Sequence, residues 1–192
     1  MKYDYIGVGR DDGKSKGEFC AIYYDSSEYN LLKQSTFWLS SNPLEVSVGW
    51  DAALERICTY GYFEHKNSDK RIWVFNTHFD HIGRISREES SKLILDQISK
   101  LNGFSDPTVV MGDFNDLPNS LTIQTLNKKL DDAMKINFSF TVSSMTLLPA
   151  KPITAPGSAK CISPSIAKLA VTPPVVGFDK RTIYGRHLSF NF

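Results

Sequence analysis

The sequence predicts a mixed α/β domain whose helices cover a mostly antiparallel sheet. Three observations predict it. Two runs rich in β-branched and aromatic residues, 56–65 and 71–79, flank a five-residue turn and read as a hairpin. Residues 84–101 then switch to helical period. A short apolar strand, 107–111, follows, so that strand, helix and strand form a βαβ unit.

The elements follow in order. The first residues read like the end of a strand. Residues 18–24, EFCAIYY, are expected to be a strand, and 29–39 another, with Asp25, Ser26 and Ser27 as the turn between them. A loop broken by Pro43 and Gly49 comes next. In the strand 71–79, period two puts Ile72, Val74, Asn76 and His78 on one face. In the helix 84–101, Ile94, Ile98 and Leu101 mark the buried side, Arg84, Arg87, Glu88, Glu89 and Lys92 the wet side, and Gly103 the stop. Residues 120–130 are expected to be a last helix, capped by Asn119 or Ser120. Trp38, Trp50 and Trp73 are expected in the core.

Composition narrows the function classes. The chain has 192 residues, 22 Lys plus Arg against 21 Asp plus Glu, and a net charge of +1. Binding of nucleic acid by bulk electrostatics would call for more basic charge, so a polyanionic substrate must be handled by a local site. No run of about 18 apolar residues is present, so no transmembrane segment is expected. Cys20, Cys58 and Cys161 are widely spaced and indicate neither a zinc site nor a disulfide framework. There is no GxSxG elbow and no phosphate-binding GxxxxGK[ST] loop.

The chemistry gathers at one edge. Parallel strands in a βαβ unit end on the same side, where ligands bind in α/β sheets. One ends in Asn76-Thr77-His78-Phe79-Asp80-His81 and the other in Gly112-Asp113-Phe114-Asn115-Asp116. Asp113 and Asn115, two apart, can face one side of an extended segment while Phe114 points into the core. The set suits phosphoryl chemistry. A carboxylate takes a proton from water or holds Mg²⁺, a histidine stabilises phosphoryl oxygen, and an asparagine donates to phosphate or orients water.

The blocks GRDDGKSKGEF, FWLS, GWDAALERI, NTHFDH and VMGDFND, in that order over roughly residues 5–135, resemble the endonuclease/exonuclease/phosphatase superfamily. The resemblance implies a DNase I-like four-layer α/β sandwich with two mixed β-sheets, present here in part. It implies a Mg²⁺- or Mn²⁺-dependent hydrolase of phosphate esters, acting on nucleic acid, phospholipid or sugar phosphate. By resemblance His78 contacts the scissile phosphate, Asp113 orients or deprotonates the attacking water, and Asn115 helps to hold phosphate and transition state. Asp113 and Asn115 are the implied metal ligands at a site expected to be weak. Glu18 matches a carboxylate that pairs with the histidine in some relatives, or is a salt-bridged surface residue. Arg56 is a phosphate contact or a solvated strand-end arginine, Asp80 and His81 shape the rim, and Arg10, Asp11 and Asp12 form a loop near the site.

Two family motifs have no counterpart here: the early strand bearing the principal metal-binding Glu, and the closing Ser-Asp-His. The stretch around His187 and Ser189 lacks the Asp-His pair. The chain is therefore expected to be a fragment with a crippled site. Its alternative is a non-catalytic remnant or binding fragment of the same fold. Without the early strands, 18–24 and 71–79 are expected to expose unpaired edges. Twenty of the 21 acidic residues lie at or before Asp132, and six of nine prolines lie after it. A boundary is therefore expected near Asn137, dividing a family-like domain, 1–136, from an atypical Ser/Pro/Thr-rich tail, 137–192. The tail reads as frame-altered, family-like again in GFDKRTIYGRHLS, and without packed structure over about 139–175.

Overall fold

The computed structural model describes residues 3–68 and 70–132 and, beyond them, the backbone of three short strands. The elements in chain order are β1 (Tyr3–Ile6), β2 (Ile22–Asp25), β3 (Tyr29–Trp38), β4 (Ile57–His65), β5 (Arg71–His78), α1 (Arg84–Asn102), β6 (Thr108–Asp113), α2 (Leu121–Leu126), β7 (Asp131–Asp132), β8 (Lys168–Ala170), β9 (Ile183–Gly185) and β10 (Ser189–Asn191).

A six-stranded sheet, ordered β3-β4-β5-β6-β9-β7, carries the molecule. Its first half is antiparallel and the pairs from β5 onward are parallel. The predicted hairpin is β4–β5 and the predicted βαβ unit is β5–α1–β6. A second sheet of two strands pairs β1 with β2. β8 pairs with β10 in parallel.

The period of β5 decides the layering. Trp73, Phe75 and Phe79 join Ile94 and Ile98 of α1 and Ile123 and Leu126 of α2 in the main core. Val74 and Ile72, on the other face, meet Ile6 and Ile22 of the small sheet. The described residues thus build three layers of the expected sandwich: helices, six-stranded sheet, two-stranded sheet. Helix α1 packs on the stripe Ser86, Ser90, Ile94 and Ile98, all fully buried. Gly103 ends it in the left-handed conformation, φ 58°, with its N–H on Ser99 O. Ser120 caps α2, accepting from Ile123 N.

Several expectations need correction. Regular pairing in the first predicted strand begins at Ile22, and Phe19 makes only an isolated bridge with Gly9. The strands before and after the turn at Asp25 do not pair with each other: β2 belongs to the small sheet and β3 to the large one. β5 has no open edge, since β4 and β6 flank it; β2 has β1 as its one neighbour among the described residues. Helix α2 stops at Leu126, and turns follow. Trp50 is 41% exposed at φ 50°, whereas Trp38 and Trp73 are buried. A turn in which Ala52 N bonds Gly49 O aims the neighbouring Asp51 at a helix and leaves the indole outside. Cys20 and Cys58 are free and buried; burial pushes both thiols up, Cys20 to about 12. The boundary near Asn137, Cys161, His187 and most of 139–175 lie outside the described residues; within that range Lys168–Ala170 forms β8.

Helix α1 has Gly83 at its N-cap and no acidic residue in its first turn. Asp51, from the loop before β4, supplies the cap across 35 residues of chain. Its carboxylate accepts from Ser86 N at 2.6 Å and Ile85 N at 3.1 Å. Removal of a capping carboxylate costs about 1 kcal/mol. Asp51→Ala should therefore lower the unfolding free energy by about 1 kcal/mol in urea, with Asp51→Asn recovering much of the loss. An unchanged midpoint for Asp51→Ala would remove the long-range cap.

Candidate active site

The site is built on the parallel pairing of β5 and β6. In that register Thr77 lies beside Gly112 and His78 beside Asp113. Gly112 is required there: its φ is 134°, and a Cβ would meet Thr77 O. The glycine lets the two strand ends run together up to the residues that carry functional groups.

His78 continues the face of β5 that looks toward the small sheet. On that side Asn76 Nδ2 donates to Ala21 O at 2.8 Å and fixes the segment leading back to Glu18. Glu18 Oε2 lies 3.5 Å from His78 Nδ1. The same oxygen accepts from Arg10 Nη1 at 2.6 Å and stands 3.8 Å from Arg56 Nη1. The loop that holds Arg10 and Glu18 is closed by Arg10 N on Glu18 O and by the Trp38 indole N–H on Arg10 O. Glu18 is thus both of its alternatives at once, salt-bridged and set against the histidine.

Arg56 is not solvated but 3% exposed. Its Nε donates to Asp80 Oδ2 at 3.2 Å. Its Nη2 donates to His81 Nδ1 at 2.9 Å; a guanidinium can only donate, so that imidazole nitrogen accepts and any proton of the neutral ring is on Nε2. Nη1 makes no hydrogen bond among the described residues. Asp80 lies beneath the rim, fully buried, and also accepts from Ile82 N and Gly83 N. Burial would raise its pKa, but these amides, the Ala53 amide and Arg56 outweigh it and hold it at about 2. Burial is also the main cause that lowers the pKa of His78. Arg56 and Arg10 add to it, and Glu18 and Asp113 oppose it.

Across the rim, Asp113 Oδ1 accepts from Asn115 N at 2.9 Å, and Asn115 turns left-handed at φ 46°. The segment is therefore an Asx-type turn and not the extended stretch expected, the Asp113 carboxylate taking the Asn115 amide, while Phe114 is buried in the core as expected. Asn115 Nδ2 donates to Phe79 O at 2.9 Å, so the carboxamide ties the two strand ends together. The structure brings His78, Glu18, Arg56 and His81 together around the end of β5, with Asp113 and Asn115 at the neighbouring end of β6. The sequence reading placed Arg10 in a loop near the site and Arg87 on the wet face of the helix, and gave neither a contact there. The glycine-rich GRDDGKSKGE pattern was a usable signal for Arg10. Arg87 carried only its position one turn into α1.

Among the described residues no group of three or more His, Cys, Asp or Glu side chains is arranged to hold a metal. No described helix is long and apolar enough to cross a membrane.

No protein-family model matches the chain. Its structure is similar to that of an endonuclease/exonuclease/phosphatase from Bacteroides vulgatus, 43% identical, with TM-score 0.64 over 66% of this chain and 49% of that one. It is also similar to a mannosyl-6-phosphatase from Bacteroides thetaiotaomicron, 39% identical, with TM-score 0.63 over 68% of this chain and 52% of that one. An uncharacterised protein of Acanthamoeba polyphaga mimivirus is 31% identical over 145 residues, 72% of this chain and 52% of the relative. The chain spans about half the length of these relatives. Over about two thirds of its length the chain shares the fold of endonuclease/exonuclease/phosphatase family structures.

Proposed function

We propose that the site hydrolyses phosphate esters with the help of a divalent cation. The single observation that carries the reading is the register that sets His78 beside Asp113, with Glu18 against the imidazole. Asp113 orients a water molecule for in-line attack and takes its proton. Arg56 Nη1, a buried donor beside Glu18, supports a role in holding the phosphate. Glu18 favours the proton of His78 on Nδ1, which leaves Nε2 to exchange a proton with the phosphoryl group. The lowered pKa keeps His78 neutral at pH 7, so it gains its proton together with the anionic substrate. Asn115 works chiefly by holding the two strand ends, since its Nδ2 is committed to Phe79.

The oxygen donors for a cation are the Asp113 carboxylate and Asn115 Oδ1. They fit Mg²⁺ or Mn²⁺ held mainly by water and substrate oxygens, not a closed protein cage. Such a cation supplies charge neutralisation at the phosphate. The sparse donor set also favours a second reading, a non-catalytic member of the fold that binds without turnover. A relative named mannosyl-6-phosphatase puts sugar monophosphates first among substrates to test, ahead of phosphodiesters in nucleic acid or phospholipid.

The full chain with millimolar Mg²⁺ or Mn²⁺ is expected to hydrolyse p-nitrophenyl phosphate or mannose 6-phosphate. His78→Ala and Asp113→Ala should each lower the rate by about 10²–10⁴-fold. Activity that survives both changes sinks the hydrolytic assignment. Thermal stabilisation by Mg²⁺ without turnover of any phosphate ester favours the binding reading.

The protonation state can be read directly. The folded pKa of His78 lies below the ordinary 6.5, so the unfolded chain binds the extra proton. The corresponding stability is present above that value and is lost as pH falls through the folded pKa. In an NMR titration the His78 midpoint should fall below 6.5. Glu18→Gln should lower it further, because the Glu18 charge favours the imidazolium. A midpoint above 6.5 would contradict the assignment.

A further inference from the structure

The face of α1 expected to be wet contains a residue tied to the rim instead. Arg87 is only 12% exposed, while Arg84, Glu89 and Lys92 pair along the helix surface. Its Nη1 donates to Asp80 O at 3.0 Å, and its Nε donates to Asp116 Oδ2 at 3.2 Å. Asp80 is two residues beyond His78, and Asp116 three beyond Asp113. One guanidinium therefore spans the two segments that leave the sheet after the functional groups.

The span has companions. Phe79 N donates to Asp113 O at 2.8 Å, and Asn115 Nδ2 donates to Phe79 O. Phe79 and Phe114 meet edge to face beneath them, with centroids 5.2 Å apart. Beyond these links the segments leave the ladder, and the Arg87 bridge is the outermost tie. The same Asp80 binds Arg56 through its carboxylate, so a continuous polar girdle runs His81–Arg56–Asp80–Arg87–Asp116 under the rim. Asp116 is suited to its place. Burial works against its charge, but the Thr122 hydroxyl, the Leu117 amide and Arg87 outweigh it and hold its pKa below the ordinary carboxylate value. Ser86 and Ser90, on either side of Arg87 along the helix, are fully buried.

We infer that Arg87 is a positioning residue of the hydrolytic site: it fixes the spacing between the His78 segment and the Asp113–Asn115 segment without touching substrate. The inference rests on the hydrolytic reading of that site. A guanidinium suits the task because it presents several donors in a rigid plane, and a lysine ammonium on a flexible stem does not.

The test uses Arg87→Met, Arg87→Lys and Asp116→Asn in the full chain. With p-nitrophenyl phosphate, all three should lower kcat, the two arginine variants by about 10²-fold, with KM within about twofold, as expected when reacting groups are misplaced by about 1 Å. Lysine should not rescue. Independently of turnover, the Asn115 carboxamide and Phe79 amide signals in a ¹H–¹⁵N spectrum should shift in all three variants, while the Val110 and Phe75 amides stay in place. A wild-type kcat in Arg87→Met, full rescue by lysine, or unmoved Asn115 and Phe79 signals would overturn the inference. Should Arg87→Met not fold, Arg87→Lys and Asp116→Asn carry the same readouts. A wild-type chain without turnover defeats the hydrolytic reading, and the spectra still decide whether Arg87 holds the two segments.

Discussion

The parallel pairing of β5 with β6 is the constraint on which everything else depends. Two parallel strands joined through a helix must end on the same edge, and the side-chain period then determines which residues stand there. Here the register stops with His78 beside Asp113. One residue of slip would turn Asp113 from the cleft toward the helix layer and put Phe114 in its place. The fully buried Phe79 and Phe114 oppose such a slip. The same aromatic pair that fills the core under the rim thus holds the register of the residues above it.

Beneath that rim the protein buries charge, which is costly unless every ion has partners. Asp80 and Arg56 satisfy the condition jointly: the carboxylate takes the backbone amides of Ile82, Gly83 and Ala53 and a guanidinium nitrogen, and the guanidinium is shared among Asp80, His81 and Glu18. Breaking one member of such a pair typically costs about 3–5 kcal/mol, whereas an apolar replacement of both can be neutral. Stability alone does not require ions in this place. Their joint effect is to tie the segments that follow β5 and β6 to one another beneath the rim, from His81 through Arg56, Asp80 and Arg87 to Asp116.

The two sheets divide the work. The six-stranded sheet with its helices supplies the rigid edge, and the small sheet delivers the loop that carries Arg10 and Glu18. Asn76 joins them through Ala21 O. β9 pairs with β6 on the side away from β5, so the strand that bears Asp113 is flanked on both sides.

The sequence by itself determined the strand period of 71–79, the hairpin before it, the helix with its glycine stop, the start of α2 at Asn119 or Ser120, and the convergence of His78 with Asp113. These are local patterns, in which each residue's face follows from its neighbours in the chain. Tertiary structure alone decided the rest. Whether 22–25 pairs with the next strand or with the first residues depends on partners far apart in sequence, and so does the burial of Arg56 and Arg87. Asp51 caps a helix that begins 33 residues later, which turns Trp50 outward. Asn115 leaves the extended conformation with its backbone amide on the Asp113 carboxylate and its carboxamide on Phe79 O, a partner 36 residues earlier that no short window of sequence reveals. A side chain's periodicity can be read from the chain, but the partner that fixes a charge or a turn is set by packing.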